Sequence, residues 1–255
     1  MFCDFTPSYP VADIADEEVH LWLIDTNDAL PSKVLDDGLS LLSDGEKNRM
    51  KQFRKAARQH QFLIARVALR CILNALLNHP GARDLRFTTN PYGKPALANN
   101  SENIQFNLSH SGSIILIAVT LGRECGVDIE HIDNTRNIYD LARFYFHPAE
   151  YGTLRGPHNV PADILQFYKL WTLKEAFIKG EGKGMAIPGN GFYFCNTEAA
   201  SPRLRVADPA LAAHPHWLFH HQVYNDTFST ALAIASPPDT VLNISRRRLL
   251  FNPLT

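Results

Sequence analysis

Two acidic residues that alternate along a predicted strand are the first candidates for chemistry. Residues 126–130 read G-V-D-I-E, and successive side chains of a strand point to opposite faces. Asp128 and Glu130 therefore share one face, while Val127 and Ile129 share the other. Two neighbouring carboxylates repel each other unless a cation lies between them, and Mg²⁺ prefers such oxygen ligands. The pattern predicts a magnesium site, although a bare D-x-E also fits a solvated acidic face.

A second group lies on a predicted helix, where residues 171–179 read W-T-L-K-E-A-F-I-K. Glu175 and Lys179 are four residues apart and share a helix face, with Trp171 one turn before them. The same spacing is typical of a surface ion pair, which stabilises a helix by only about 0.3–0.5 kcal/mol. The glycine-rich run at 180–184 ends the helix and favours a mobile loop that closes over a long ligand or meets a partner.

Polar residues between two apolar strand segments form a third group. Residues 107–112 read N-L-S-H-S-G, and this pattern predicts a loop at the ends of strands. Ser109 and His110 would offer hydrogen-bond donors to phosphate oxygens there. A simple hairpin turn, in which these side chains only satisfy the backbone, is the alternative. The Y-G-K-P turn at 92–95 exposes the cation of Lys94.

Basic residues are concentrated in one segment of a chain whose charges nearly balance. The 255 residues include 25 Lys and Arg against 26 Asp and Glu, a formal net charge of −1. This balance argues against a surface built to grip nucleic acid. Residues 43–70 nevertheless hold eight basic side chains against two acidic ones. Such a local positive field could hold a polyphosphate, and Arg58 and Arg66 are the candidates.

The elements that position these groups follow from hydrophobic periodicity and turn residues. Ser43 and Glu46 have the spacing of a capping box, which predicts the start of a helix. Apolar residues at three- and four-residue steps predict a longer helix. The predicted helices are 43–53, 58–77, 138–146 and 164–179. The predicted strands are 19–24, 85–89, 104–108, 114–119, 126–130, a segment near 192, 217–224 and 227–235, with a hairpin turn at 225–226.

This order of elements predicts an α+β fold. Helices and strands occur in both halves, so we expect two α+β lobes that meet near residues 120–126. The N-terminal lobe, 1–122, would carry the basic helices and the phosphate-contacting loop, and the C-terminal lobe, 123–255, the carboxylates. The chemistry is expected in the cleft between them, because binding sites favour such interfaces.

Cysteine use and the N-terminal sequence favour a cytoplasmic protein. The four cysteines contain no C-x-x-C pair, so neither a zinc clip nor a disulfide framework is predicted. The first 18 residues are acidic where a secretory signal needs positive charge. No segment approaches the roughly 20 apolar residues of a membrane span. We expect a soluble monomer that binds neither nucleic acid nor membrane.

Together, the four motifs resemble the 4'-phosphopantetheinyl transferase superfamily, and specifically its longer, pseudo-dimeric, Sfp-type branch. The Y-G-K-P, N-L-S-H-S-G, G-V-D-I-E and W-T-L-K-E-A-F-I-K segments occur in one order between residues 92 and 179. With the basic segment before them, the resemblance covers residues 43–195. It implies two similar lobes related by a pseudo-twofold axis, each a mixed or antiparallel sheet packed on a long helix, with coenzyme A bound between them.

The resemblance also implies an activity and a set of site residues. A 4'-phosphopantetheine arm would pass from coenzyme A to a serine of an apo acyl or peptidyl carrier protein, with release of 3',5'-ADP. The metal, Mg²⁺ or alternatively Mn²⁺, would neutralise charge on the diphosphate. The implied metal ligands are Asp128, Glu130 and Glu175, and the implied phosphate contacts are Lys94, His110 and Lys179.

The acceptor of the serine proton is left open by the sequence. Glu175 is one candidate base, and a metal-bound water oriented by Glu150 or Glu175 is another. Glu150 lies in the segment P-A-E-Y at 148–151, where family members often carry a further acid. Lys179 and His110 would stabilise the charge that develops during transfer. Three predicted catalytic residues result: Glu175, Lys179 and Glu150.

Two other classes of protein fit parts of the pattern. A magnesium phosphohydrolase or nuclease also places carboxylates beside basic residues, but such enzymes often use two metals, and no second D-x-E or D-x-D is obvious here. A non-catalytic module that binds coenzyme A or carrier proteins would not need all three carboxylates and Lys179. Fatty acid, polyketide and nonribosomal peptide carriers stay equal candidates, since partner choice depends on surface shape and rim charge.

Overall fold

A computed structural model describes residues 14–28, 32–77, 81–154, 161–199, 202–208 and 216–249. The strands are β1 (Glu18–Asp25), β2 (Phe87–Thr89), β3 (Pro95–Leu97), β4 (Ile104–Ser111), β5 (Ile114–Leu121), β6 (Cys125–His131), β7 (Phe192–Cys195), β8 (Arg203–Val206), β9 (Trp217–Tyr224), β10 (Phe228–Ala235) and β11 (Asn243–Arg248). The helices are α1 (Ser32–Leu41), α2 (Asp44–Lys51), α3 (Ala56–Leu76), α4 (Ile138–Tyr145), α5 (Pro148–Tyr151) and α6 (Pro161–Glu181). None of the described helices is both long and apolar enough to cross a membrane.

The first sheet is mixed and has the strand order β11-β1-β5-β4. β11 runs parallel to β1, whereas β5 is antiparallel to both β1 and β4. Helix α3 packs on this sheet, and Ile64 and Leu69 share a buried apolar cluster with Ile115 and Ile117. The last strand of the chain thus returns to a sheet whose other strands come from the first half.

The second sheet is antiparallel and has the order β6-β10-β9. Helix α6 packs on it through a cluster that includes Leu173, Phe177 and Ala231. A further cluster joins the two sheets, with Leu116 of β5 and Val127 of β6 among its buried members. β6, whose other face carries the acidic pair, therefore lies where the two sheets meet.

Strand β6 passes unusually close to helix α6. A Cβ added to Gly126 would lie 2.0 Å from the carbonyl oxygen of Ala176 and 2.4 Å from the backbone nitrogen of Gly180. Both atoms belong to helix backbone and cannot turn aside as a side chain could. Glycine at this position lets the strand of Asp128 lie against the helix of Glu175.

We expect Gly126→Ala to lower the free energy of unfolding by about 3 kcal/mol or more, at the upper end of what overpacking costs. Chemical denaturation measures this change. Gly45→Ala in α2 is the matched control, because its added Cβ would meet only Ser43 Oγ, at 4.0 Å, and alanine is the better helix former. An unchanged denaturation midpoint for Gly126→Ala would refute the close approach of β6 and α6.

Most of the predicted elements are confirmed. In the capping box, Ser43 Oγ accepts from the backbone N–H of Glu46, whose carboxylate accepts from the backbone N–H of Ser43. Asn225 and Asp226 form the predicted hairpin turn between β9 and β10, with φ angles of 48° and 53° in the left-handed region that Asn and Asp tolerate. The α+β class is confirmed, while the pseudo-twofold similarity and the 122/123 boundary stay predictions.

The prediction of a loop at residues 107–112 is wrong for most of its length. β4 continues through Ser111 and pairs with β5 along its whole length, so only the turn at Gly112 lies outside the strand. Its polar side chains bridge to the neighbouring sheet, because Asn107 Oδ1 accepts from the backbone N–H of Val127 at 3.0 Å. Ser111 Oγ accepts from the backbone N–H of His131 at 2.9 Å. Asn107 and Ser111 therefore satisfy backbone N–H groups of β6.

Candidate active site

The three predicted metal carboxylates border one cavity of about 360 Å³. Asp128 and Glu130 reach it from β6 and Glu175 reaches it from α6. The other residues that line the cavity are Leu108, Ser109, His110, Trp171 and Lys179. Three elements that are far apart in the chain, β4, β6 and α6, thus place their polar side chains around one volume.

Asp128 is buried, with 3% of its side chain exposed. Its Oδ1 accepts from Lys179 Nζ at 2.6 Å and from Ser109 Oγ at 2.9 Å. Its Oδ2 is buried and has no hydrogen-bond partner among the described residues. Burial raises the pKa of Asp128 to about 6, and the negative charges of Glu130 and Glu175 add to the rise, although Lys179 opposes it. A cation at Oδ2 would relieve this cost.

Hydroxyl groups hold the other two carboxylates. Ser111 Oγ donates to Glu130 Oε2 at 3.2 Å, and burial is the largest cause that raises the pKa of Glu130. Tyr145 Oη donates to Glu175 Oε1 at 2.6 Å. Tyr145 was not predicted as a site residue, because an aromatic residue inside the apolar run F-Y-F of a helix is typical of core packing. Nothing in the sequence pattern marks its hydroxyl.

The donor set suits Mg²⁺ in its chemistry. Carboxylate oxygens are the ligands that this ion prefers, and Asp128 Oδ2 offers one that is otherwise unsatisfied. Within the described part of the chain, however, no three His, Cys, Asp or Glu side chains stand close enough together to enclose an ion. The ammonium group of Lys179 lies against Asp128 instead.

Positive charge gathers at the same cavity. Arg58 Nη1 lies 3.3 Å from His110 Nδ1, so the basic helix α3 contacts the strand β4 beside this cavity. Burial lowers the pKa of His110, and the charges of Arg58 and Lys179 lower it further. A neutral imidazole between two cations is suited to an anion, whose arrival would favour the protonated ring.

Two predicted phosphate contacts are not free in this arrangement. Lys94 Nζ donates to Glu124 Oε2 at 2.6 Å, to the carbonyl oxygen of Gly180 at 2.6 Å and to that of Cys125 at 3.3 Å. All three of its protons are thus engaged. The guanidinium of Arg66 lies over the Phe62 ring, 5.2 Å from its centroid, and is not among the residues that line the cavity. The ammonium group of Lys94 is therefore already paired, and the structure does not bring Arg66 to the cavity of the carboxylates.

Glu150 lies in a buried ion pair and is not among the residues that line the cavity. Its Oε2 lies 2.7 Å from Lys174 Nζ, and the two side chains are 1% and 0% exposed. Its Oε1 accepts from the backbone N–H of Phe194 at 2.8 Å. Lys174 also donates to the carbonyl oxygens of Gly189 and Phe192, both at 2.7 Å. With both oxygens engaged, Glu150 is not placed to act on a substrate.

A second cavity, of about 590 Å³, adjoins the first. The two share Leu108, Glu175 and Lys179 in their linings. The Y-G-K-P turn, the end of α4 and the turns after α6 form the walls of the larger cavity. Phe144 and Met185, which line it, are 85% and 101% exposed. A long ligand held at the carboxylates could therefore continue into a mainly apolar space.

Two family models and several curated relatives match this chain. A family model described as "4'-phosphopantetheinyl transferase superfamily" matches residues 124–235, and one described as "4'-phosphopantetheinyl transferase, N-terminal" matches residues 31–121. The chain is 32% identical over 235 residues to 4'-phosphopantetheinyl transferase HetI of Nostoc sp., a match that covers 90% of this chain and 92% of that protein.

Other relatives carry similar names. The chain is 31% identical over 228 residues to a phosphopantetheinyl transferase of Thraustochytrium sp., which covers 82% of this chain and 76% of that protein. It is 31% identical over 155 residues to 4'-phosphopantetheinyl transferase Sfp of Bacillus subtilis, which covers 60% of this chain and 66% of that protein. Fold, site and relatives define a transferase. The chain belongs to the 4'-phosphopantetheinyl transferase superfamily, as its four motifs predicted.

Proposed function

We propose that this chain transfers the 4'-phosphopantetheine arm of coenzyme A to a serine of an apo acyl or peptidyl carrier protein at the 360 Å³ cavity. The observation that carries the proposal is the convergence of Asp128, Glu130, Glu175 and Lys179 on that cavity in a chain of this family. A carboxylate cluster beside fixed cations is what a diphosphate with a divalent ion requires.

We place this cavity in a cleft between two lobes, 1–122 and 123–255, of pseudo-twofold similarity. Support comes from the lining, since β4 belongs to the first half of the chain and β6 and α6 belong to the second. The two family matches also meet between residues 121 and 124. Each half contributes one long helix packed on a sheet, α3 and α6.

Asp128, Glu130 and Glu175 would hold Mg²⁺ only together with the diphosphate of coenzyme A, whose oxygens would complete a ligand set that the three carboxylates do not form by themselves. A bound ion would neutralise negative charge on the diphosphate. Lys179 is 30% exposed and reaches Asp128 from the neighbouring helix, so its ammonium can turn towards a phosphate. Ser109 and His110 add hydrogen-bond donors from β4, and Arg58 of α3 lies against His110.

The transfer is a displacement at the β-phosphorus of coenzyme A. The carrier serine Oγ forms a bond to that phosphorus, the bond from phosphorus to the bridging oxygen breaks, and its electron pair leaves with 3',5'-ADP. Lys179 and His110 stabilise the charge on the departing group. The serine proton passes to Glu175 or to a water molecule that the Glu175 carboxylate orients, because Glu175 borders the cavity while Glu150 lies in a buried ion pair.

The raised pKa of Asp128 predicts a pH dependence. Between its ordinary value of 3.8 and about 6, the folded protein keeps a proton that the unfolded chain has lost, so this group lowers stability as the pH rises through that window. The same proton competes with Mg²⁺. Below pH 6 the apparent Mg²⁺ affinity in the presence of coenzyme A should fall by up to about tenfold per pH unit. Calorimetric titration at several pH values measures it, and a flat profile down to pH 5 would contradict the assignment of Asp128.

Incubation with coenzyme A, Mg²⁺ and a panel of apo carrier proteins tests the function directly. Mass spectrometry of the carriers should show a gain of one 4'-phosphopantetheine unit, with 3',5'-ADP in the supernatant. Fatty acid, polyketide and nonribosomal peptide carriers in separate reactions distinguish the partner class. Hydrolysis of coenzyme A without modification of any carrier would favour a phosphohydrolase, and tight binding of coenzyme A without either product would favour a binding module.

A further inference from the structure

Each carboxylate of the proposed site accepts a hydrogen bond from a hydroxyl group on another element. The three pairs are Ser109 with Asp128 at 2.9 Å, Ser111 with Glu130 at 3.2 Å, and Tyr145 with Glu175 at 2.6 Å. The two serines alternate on β4 and face β6, whereas Tyr145 is the last residue of α4. Each carboxylate therefore has its own hydroxyl donor, and the hydroxyl of Tyr145 belongs to none of the four motifs.

The orientation of the Glu175 carboxylate depends on its hydroxyl donor more than the orientation of Asp128 does. Asp128 also accepts a hydrogen bond from the ammonium group of Lys179, and its short side chain extends from a strand that pairs with β10. Glu175 has a longer side chain, and among the described residues Tyr145 Oη is its one hydrogen-bond donor. Without that donor, the carboxylate of Glu175 would be free to turn about its terminal bonds.

The Tyr145 ring is itself held rigidly. Its centroid lies 4.9 Å from that of Trp171, which stands one turn before Glu175 on α6. On another side, a Cβ added to Gly189 would lie 2.5 Å from Tyr145 Cε2, so the ring packs directly against the backbone there. A hydroxyl on a ring confined in this way has little freedom, which makes it an effective anchor for Glu175.

We propose that Tyr145 is a positioning residue for the transfer: its hydroxyl fixes Oε1 of Glu175 so that Oε2 is presented to the metal and the diphosphate. The inference rests on the proposed function and deepens it. Partners of metal ligands in general fix the orientation of those ligands, and their loss weakens metal affinity by about 10- to 100-fold.

Tyr145→Phe tests this role, because it removes the hydroxyl and keeps the ring packing. In calorimetric titration of the full chain with MgCl₂ in the presence of coenzyme A and without carrier, we expect the Mg²⁺ dissociation constant to rise by about 10- to 100-fold. The Mg²⁺ concentration that gives half-maximal transfer should rise by a similar factor. The dissociation constant for coenzyme A without Mg²⁺ should stay unchanged.

The same helix provides a matched control. Tyr139 Oη donates to Asp163 Oδ2 at 2.7 Å, so it too links α4 to a carboxylate of α6, but outside the two cavities. Tyr139→Phe should leave the Mg²⁺ titration unchanged. A wild-type titration for Tyr145→Phe would overturn the inference, as would an equal loss of Mg²⁺ affinity in both variants. If the wild type transfers no phosphopantetheine, the proposed function fails, and the calorimetric comparison still decides the role of Tyr145.

Discussion

Asp128→Asn is expected to lower the rate of phosphopantetheine transfer by on the order of a thousandfold or more, since a bound metal supplies several kcal/mol of transition-state stabilisation. The substitution is nearly isosteric, and the Asn Oδ1 can still accept from Ser109 and Lys179. It removes the negative charge and turns the unpartnered oxygen into an amide donor that repels a cation. Turnover at saturating coenzyme A and carrier, followed by mass spectrometry, measures the loss.

The fold should survive this substitution, because neutralising a buried carboxyl whose pKa is raised to about 6 removes a cost of burial. The thermal midpoint of Asp128→Asn should therefore match or exceed that of the wild type. Asp226→Asn, in the exposed turn between β9 and β10, is a control that should keep full turnover. Wild-type turnover in Asp128→Asn would remove Asp128 from the metal site.

The second large effect concerns stability and the buried pair of Glu150 and Lys174. Removing either charge leaves the other buried without its partner, which costs about 3–5 kcal/mol. Lys174→Met loses in addition its bonds to the carbonyl oxygens of Gly189 and Phe192. We expect both Glu150→Gln and Lys174→Met to lower the free energy of unfolding by this amount, and the double variant to lose less than the sum. Denaturant titration measures all three.

Assay of Glu150→Gln also separates a structural from a catalytic role. At a temperature where the variant is folded, turnover per folded molecule should stay close to that of the wild type. Lys183→Met, which removes a half-exposed lysine 3.9 Å from Glu181, is the control and should cost less than about 1 kcal/mol. A stable Glu150→Gln protein with a thousandfold loss of turnover would restore Glu150 to the catalytic residues.

The pair also connects the site to the surrounding core. Burial lowers the pKa of Lys174 to about 8, and Glu150 opposes that shift. Lys174 precedes Glu175 in the chain and holds the turn of Gly189 against α6. Gly189 in turn packs against the Tyr145 ring. Loss of Lys174 should therefore reach the positioning of Glu175 indirectly and lower turnover, whereas Glu150→Gln leaves the bond from Lys174 to Gly189 in place.

Local sequence patterns are enough to predict most helices and strands of this chain and its family. The alternation of side chains in G-V-D-I-E predicts that Asp128 and Glu130 share one face of a strand. The four-residue spacing of Glu175 and Lys179 predicts that they share one face of a helix. The capping box predicts that a helix begins at Ser43. These patterns depend only on the periods of strand and helix, which neighbours in the chain define. For the same reason the four motifs were enough to identify the superfamily.

Contacts between side chains from distant segments follow from the fold and not from these local patterns. The polar residues at 107–111 predicted a loop, because the sequence does not show that β6 lies beside β4. In the structure, backbone N–H groups of β6 donate to side chains of this segment. Likewise, the hydrogen-bond acceptors that engage Lys94 lie 30 to 86 residues away in the chain. Lys174 and Phe194, which engage the two oxygens of Glu150, lie 24 and 44 residues away. The hydrogen bond from the Tyr145 hydroxyl to Glu175 depends on the packing of α4 against α6. A side chain's partners depend on how distant elements pack, and packing is a property of the whole fold rather than of any segment.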